Sequence, residues 1–473
     1  MSKAQTMVDI WVKSFKEWGI EKTGVISSGA FSNIFEAKVT GEVKAVKAMI
    51  PDNPTDSKRN LGLVSLVEID ILCSHSNCSN LIQSERMFLT ETSPEVIFIM
   101  PKAIADIDRY IKSNKLAYKE IKALLYEVAK SIWTLHMMNR LHLDVKPANI
   151  LIMSDGKVKL ADFNLSSYVD KHSGYVDLDH LVITPNYRPP EHFKNEKRKT
   201  LIRASAKSDV WSYGILVGEI LTGRLVFNAE KEDIETISID NIVRRVKKRF
   251  TLTATGVNRL SRFLKKMLVF NPERRYNMKE VLEDDFFKEL AKQNSPVAPI
   301  FIMPSFKCPT EESKTFTEIT GLQELIETCY PSDHIRILFL AVELYHRTFD
   351  LAKNSVSLRQ VTCAWMAHRM FYNQNVDLYS LKDHLHLKVP DKIVCAEETR
   401  IVNHLGGRLY INRVYSHLKT LLQCRWAIKN ILPYIHIHNN FDIWLKKTNI
   451  PIHDILDEGI NATRIKDMPD NKE

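Results

Sequence analysis

The sequence predicts an α+β body followed by an all-α module. Strand-like stretches flank Ile34, and apolar residues form an unbroken run at Val96-Ile97-Phe98-Ile99-Met100, the signature of a buried strand. Farther on, Ile121, Leu124, Leu125, Val128, Ile132 and Leu135 recur at helical spacing. They lead to two short apolar runs, Ile150-Leu151-Ile152 and Val158-Lys159-Leu160, across an Asp155-Gly156 turn, which is a hairpin signal. Past a stretch punctuated by Pro296, Pro299, Pro304 and Pro309, five segments carry apolar residues at helical spacing. These are 335–349, 358–371, 378–386, 391–405 and 413–422, enough for a helical module of roughly a hundred residues.

At 473 residues the chain exceeds what one hydrophobic core usually supports, so at least two domains are expected. Hydrophobic residues at 44% and charged ones at 26% are those of a soluble globular protein. No apolar run approaches a membrane span, and the N-terminus lacks a signal-peptide core. Seven cysteines show no paired metal spacing, and Cys73 and Cys78 stand too isolated for zinc, so reduced thiols in the cytoplasm or nucleus are expected. The net charge of +9 gathers in Arg244-Arg245-Val246-Lys247-Lys248-Arg249 and Lys197-Arg198-Lys199. Such runs are mostly solvated faces; the alternatives are a nuclear signal or a contact with acidic substrates. No aromatic residues interleave with them, so nucleic acid is not an expected partner.

The chemistry concentrates in two polar stretches around the hairpin: His142-Leu143-Asp144-Val145-Lys146-Pro147-Ala148-Asn149 and Asp162-Phe163-Asn164. Phosphoryl transfer needs an acceptor for a hydroxyl proton, a cation on the migrating group and oxygen ligands for magnesium. Asp144, Lys146, and Asn149 with Asp162 supply these in turn. The two stretches and the hairpin between them resemble the protein kinase family, with His142 to Asn149 similar to its catalytic loop. The resemblance implies a bilobal fold, ATP and Mg2+ as cofactors, and protein substrates.

Earlier in the chain, Val8, Trp11, Val12, Phe15 and Trp18 share one helical face, and this segment is expected to pack on the body. Next, Ile26-Ser27-Ser28-Gly29-Ala30-Phe31-Ser32-Asn33-Ile34 resembles the kinase glycine-rich loop, although Gly29 alone remains of its three glycines. Ser27 and Ser32 occupy the other two positions. By the same resemblance Lys47 is the strand lysine that grips the phosphates, and Glu68, in a helical pattern ending at Leu72, is its partner. Met100 guards the back of an adenine pocket, with the Ala103 N–H on the hinge; Pro101 stands where the family mostly has glutamate. Asp106 has two readings, a contact to the ribose hydroxyls or a helix N-cap.

Thr184-Pro185-Asn186-Tyr187-Arg188-Pro189-Pro190-Glu191 resembles the end of the activation segment, and Asp209-Val210-Trp211 opens an apolar helix. Glu191 and Arg275 are expected to form a buried structural pair. The Tyr187–Glu191 run is most like the group of cyclin-dependent kinases, whose arginine shapes a pocket for proline after the target residue; the segment from Asn228 to Leu264 is too short for that group's insertion. Lys146, two residues past Asp144, points to Ser/Thr targets.

Further departures follow, and those at Leu143, Asp179, Ala30 and Phe31 bear on regulation. Asn164 replaces a glycine, and asparagine tolerates positive φ best among the other residues. Leu143 replaces the arginine that receives an activating phosphate, and Asp179, five residues before Thr184, stands where cyclin-dependent kinases carry the phosphothreonine. Ala30 and Phe31 replace the hydroxyls that inhibitory kinases modify. Independence from an activating kinase is therefore expected, unless Asp179 is an ordinary solvated carboxylate.

In the C-terminal third, Ile337–Leu344, Val361–Arg369 and Glu397–Val402 resemble a cyclin box, with Arg369 and Glu398 where cyclins use a lysine and a glutamate to hold their kinase. An unrelated docking module and a transcription-factor-like box are the other readings. The expected division is an N-terminal helix (1–19), a kinase domain (20–290), a linker (291–317), a cyclin-like domain (318–425) and an extension (426–473). The resemblance implies a Ser/Thr kinase activated in cis; the alternative is a non-catalytic scaffold. Kinase and cyclin in one chain is not a common cellular arrangement and such kinases occur in large DNA viruses, so a viral protein acting in a host cell is one source the resemblance allows.

Overall fold

The computed structural model describes residues 18–29, 32–49, 63–73, 79–89, 96–169, 174–178, 183–193, 202–291, 355–371 and 378–407, with Phe15, Leu409 and scattered positions between 322 and 351. Expectations for residues 1–14, Ala30, Phe31, Asp179, most of 291–317, and 410–473 lie outside the described residues.

The N-terminal lobe is a five-stranded antiparallel sheet. Strands β1 (Ile20–Ser28), β2 (Ser32–Val39) and β3 (Glu42–Met49) run consecutively, helix α1 (Leu63–Cys73) follows, and β4 (Arg86–Leu89) and β5 (Val96–Pro101) complete the order β1-β2-β3-β5-β4. Alternation along each strand sorts its side chains between two faces. Phe35, Ala37, Val46, Ala48, Ile97 and Ile99 share the outer face with Phe15. Phe15 meets Phe35 edge-on at 5.6 Å, and Trp18 stacks on Phe88 at 4.9 Å. At those two residues, the segment expected to lie on the body does so. Met49, Phe98 and Met100 belong to the opposite face and join Leu66, Ile69 and Leu72 of α1 in the main core.

The second lobe begins with β6 (Ala105–Asp106), α2 (Ile107–Asn114) and α3 (Tyr118–Met137), then β7 (Arg140–Leu141). The expected hairpin is β8 (Ile150–Ile152) and β9 (Val158–Leu160), paired Ile150 to Leu160, with Gly156 at φ +77° in the turn. Three short strands follow: β10 (Ser167–Tyr168), which pairs with β7, and β11 (Val176–Leu178), which pairs with β12 (Ile202–Ala204). Helix α4 (Ala206–Thr222) is apolar nearly all round, so it lies in the core rather than on the surface. Ser205 caps its start, and Gly223 ends it at φ +69°. Helices α5 (Ile239–Arg249), α6 (Ala254–Met267), α7 (Met278–Glu283) and α8 (Lys288–Ala291) complete the lobe.

Three of the five expected C-terminal helices are described in full: α9 (Val356–Phe371), α10 (Leu378–His384) and α11 (Asp391–His404). Within 335–349, Ile337, Leu340, Leu344 and Tyr345 are helical and buried; 413–422 lies outside the described residues. Val361, Ala364, Trp365, Val394 and Val402 belong to the same apolar core as α1 and the second lobe. α9 packs on α1 and on β10, and α11 packs on β4.

Candidate active site

Lys47 enters the cleft because β3 places it on the inner face, opposite Phe98 of β5 and Ile34 of β2. Its ammonium lies 2.5 Å from Glu68 Oε1 and 3.0 Å from Asp162 Oδ1. Burial works to lower the Lys47 pKa, but the two carboxylates override it and hold the group above its usual range. Burial likewise opposes charge on Asp162, yet the Lys47 ammonium keeps that carboxyl below the ordinary range. For Glu68 burial is the larger influence and raises its pKa.

Across the cleft, Asp144, Lys146 and Asn149 are brought together by a loop anchored from beneath. The buried Asp209 carboxylate accepts from the His142 and Leu143 N–H groups at 2.8 and 2.9 Å and lies 2.9 Å from His136 Nε2. Burial pushes its pKa up, and these partners more than reverse the effect. His142 Nδ1 accepts from the Asp144 N–H at 3.2 Å while Nε2 faces Ala161 O at 3.0 Å, which selects the tautomer protonated on Nε2. Asn149 Nδ2 donates to Asp144 O at 2.8 Å and to Oδ2 at 2.9 Å, turning its amide oxygen away from Asp144. Lys146 Nζ sits 2.6 Å from Asp144 Oδ2, and the Thr184 hydroxyl donates to Asp144 Oδ1 at 2.5 Å. Thr184, expected only as part of the activation segment, thus touches the candidate base.

The end of β1 forms an exposed rim. Ile26, Ser27, Ser28 and Gly29 face solvent, Ser32 is buried, and Asn33 and Ile34 are half-buried. Ser27 pairs with Ile34 and Ser28 with Asn33, and the Gly29 N–H donates to Ser32 O at 2.9 Å. Among the described residues a Cβ at Gly29 would meet only Ser32 O, at an ordinary 3.5 Å. Ala103 follows β5 at the join of the lobes and packs on the main core. Asp106 is the N-cap of α2, with Oδ1 accepting from the Arg109 N–H at 2.9 Å and Oδ2 3.3 Å from Arg109 Nε. Of its two readings, the cap is the one seen.

Position 164 differs from expectation. Among the described residues, Asp162 takes the positive φ, at +64°, and Asn164 does not. The tolerance of asparagine for that region is not what preserves the loop. Instead Asn164 Nδ2 donates to Asp162 Oδ1 at 2.7 Å. Leu143, at φ +62°, is buried with Leu141, Val176, Leu178, Ile183, Ile202 and Ala204. Glu191 and Arg275 pair as expected, through two parallel 3.0 Å bonds. Arg369 Nη1 lies 2.5 Å from Glu398 Oε1, so these two residues join α9 to α11.

Residues 20–287 match the family described as "Protein kinase domain". The chain belongs to the protein kinase family. The kinase is 26% identical over 217 residues to the "Probable CTD kinase subunit alpha homolog" of Encephalitozoon cuniculi, covering 46% of this chain and 61% of that one. It is 25% identical over 335 residues to "Cyclin-dependent kinase G-1" of Oryza sativa subsp. indica, covering 63% and 46%. To "Serine/threonine protein kinase OSK4" of the same rice it is 25% identical over 324 residues, covering 68% and 58%. The kinase therefore spans less than two thirds of the length of each of these relatives. Among the described residues, no helix is long and apolar enough to cross a membrane.

Sequence reasoning did not assign Asp209 its anchoring role or single out Asp70 and Arg140, a buried pair joining α1 to β7. For Asp70 the available signal was a carboxylate inside the apolar run Ile69-Asp70-Ile71-Leu72, which folding buries only with a partner.

Proposed function

We propose that the chain transfers the γ-phosphoryl of ATP to Ser or Thr hydroxyls of proteins. The observation that carries this reading is Lys47 held between Glu68 and Asp162, facing a loop on which Thr184 and Lys146 both bind Asp144. Asp162 and the amide oxygen of Asn149 are hard oxygen donors of the kind Mg2+ takes together with nucleotide phosphates. Among the described residues no cluster of three His, Cys, Asp or Glu could hold a metal alone, which suits an ion completed by its nucleotide. Bound Mg2+ and ATP would supply charge neutralisation and the phosphoryl group.

The chain's own residues then divide the work. Lys47, fixed by Glu68, binds and orients phosphate oxygens. Asp144 orients the substrate hydroxyl and accepts its proton, and Lys146 meets the charge that develops on the transferring group. The loop from Ile26 to Ile34 covers the phosphates, and the Ala103 N–H meets the adenine edge. Asp106 keeps lone pairs beyond those used by its cap and can accept from ribose. The side chain of Arg188 donates to Ile183 O at 3.1 Å, which supports a shaped pocket beside the target residue and a preference for proline there.

The division into kinase domain, linker and cyclin-like domain is part of the same reading, and the cyclin-like domain acts in cis by holding α1. What supports it is the packing of α9 on α1. ATP with Mg2+ should raise the melting temperature, and labelled phosphate should pass to a generic basic protein. A chain ending near Ser295 should be much less active, with residues 296–473 added in trans restoring it; full activity of the shortened chain contradicts activation in cis.

A further inference from the structure

Resting on that reading, the geometry points to Asp70 as the residue through which the C-terminal helices position Glu68. The two acidic residues stand two apart on α1, roughly 200° around the helix, so they face opposite sides. Both are buried, at 0% and 1% exposure, where an unpartnered carboxylate is costly. Glu68 faces Lys47. Asp70 faces away and accepts from two parts of the molecule. Its Oδ2 takes a hydrogen bond from Arg140 Nη2, and its Oδ1 takes one from the Leu409 N–H at 3.0 Å.

Each partner leads to working machinery. Arg140 opens β7, the strand that runs into the loop of Asp144, and its guanidinium lies 3.8 Å from the ring centre of Tyr168, whose hydroxyl it also binds. Tyr168 closes β10, just past Asp162-Phe163-Asn164. Leu409 follows α11, and so does Gly407, at φ +74°, where a Cβ would lie 2.6 Å from Cys73 Sγ and 3.0 Å from Ile69 Cγ2. The chain after α11 therefore abuts the back of α1 at Ile69, Asp70 and Cys73. Asn403 of α11 also donates to Leu89 O of β4 at 2.9 Å. A helix held along its back can turn less, so Glu68 stays aimed at Lys47. Arg369 and Glu398 pair with each other and tie α9 to α11, the helix from which this chain segment runs on.

A double-mutant cycle in the full chain separates positioning from bulk stability. Labelled-phosphate transfer to a basic protein is measured for Asp70→Asn, Glu68→Gln and their combination. We expect Asp70→Asn to lower kcat at least about tenfold with little change in KM for ATP, and the combination to be no worse than Glu68→Gln alone. Gly407→Ala should lower kcat in the same way. If Asp70→Asn leaves Arg140 stranded and fails to fold, Asp70→Asn/Arg140→Gln removes both charges and replaces it in the cycle. Losses that multiply, or an unchanged kcat, overturn the proposal. If the parent itself transfers no phosphate, the functional reading fails, and hydrogen exchange decides this one. Exchange across α1 at least about tenfold faster in Asp70→Asn, with α4 unchanged, supports it, and equal exchange overturns it.

Discussion

Lys47 and Glu68, 21 positions apart, meet at 2.5 Å in a pair of which at most 4% of either side chain is exposed. The ammonium has a second carboxylate, Asp162, at 3.0 Å. Lys47→Met removes the cation these two carboxylates share and leaves the buried Glu68 facing the half-buried Asp162 without it. We expect the variant to fold and bind ATP but to lose at least about a hundredfold in kcat. The ratio of kcat to nucleotide affinity, measured side by side, checks it.

Thr184 and Asp144 make a second such link. The hydroxyl both donates to Asp144 Oδ1 and accepts from Lys146 Nζ at 3.1 Å. Thr184→Ser keeps both bonds and should retain activity within a few-fold. Thr184→Val removes both and should lower kcat at least about tenfold, since even one bond to a charged group is ordinarily worth that much. Steady-state kinetics with a peptide substrate distinguishes the two.

His192 makes stability sensitive to acid. Burial lowers its pKa from 6.5 to about 4. Above pH 6.5 neither the folded nor the unfolded chain holds the proton. As pH falls from 6.5 towards 4 the unfolded chain takes it up first, so stability declines across that window and levels off below it. The full loss is of the order of 3 kcal/mol. Urea midpoints of His192→Phe should fall less over the same window than those of the parent; parallel curves would remove this group from the account.

Leu143 bears on regulation. An arginine there would wait for a phosphate; the leucine instead belongs to an apolar cluster with Val176 and Leu178 of β11 and Ile183 ahead of Thr184. Packing would then hold the activation segment without modification. Protein made in bacteria should be active as isolated and indifferent to phosphatase. Leu143→Ala should cost about 2–5 kcal/mol and loosen the segment, seen as faster proteolysis between β10 and β12. Strict dependence on an added activating kinase would refute this reading.

Local chemistry made much of the site legible. Asp144, Lys146 and Asn149 lie within six residues, and the hairpin behind them has a turn signal and two clean apolar runs. Glu191 and Arg275 were legible only through family likeness, because no local pattern joins residues 84 apart. The same distance problem hid Asp209 and the Asp70–Arg140 pair, whose partners are set by tertiary packing. Asp106 was open for a different reason. A carboxylate before a helix serves as cap and as ligand alike, and sequence does not choose between them. At position 164 the substitution pointed to backbone strain, whereas the strain sits two residues earlier and the new amide makes a side-chain bond instead.

The most direct test is label transfer from γ-labelled ATP to a basic protein, with and without Mg2+, by the parent and by Asp144→Asn. The account predicts Mg2+-dependent labelling of serine and threonine by the parent. For Asp144→Asn it predicts unchanged ATP affinity and turnover lower by about 10²–10⁴-fold. Equal labelling by the two proteins, or none by the parent, contradicts it.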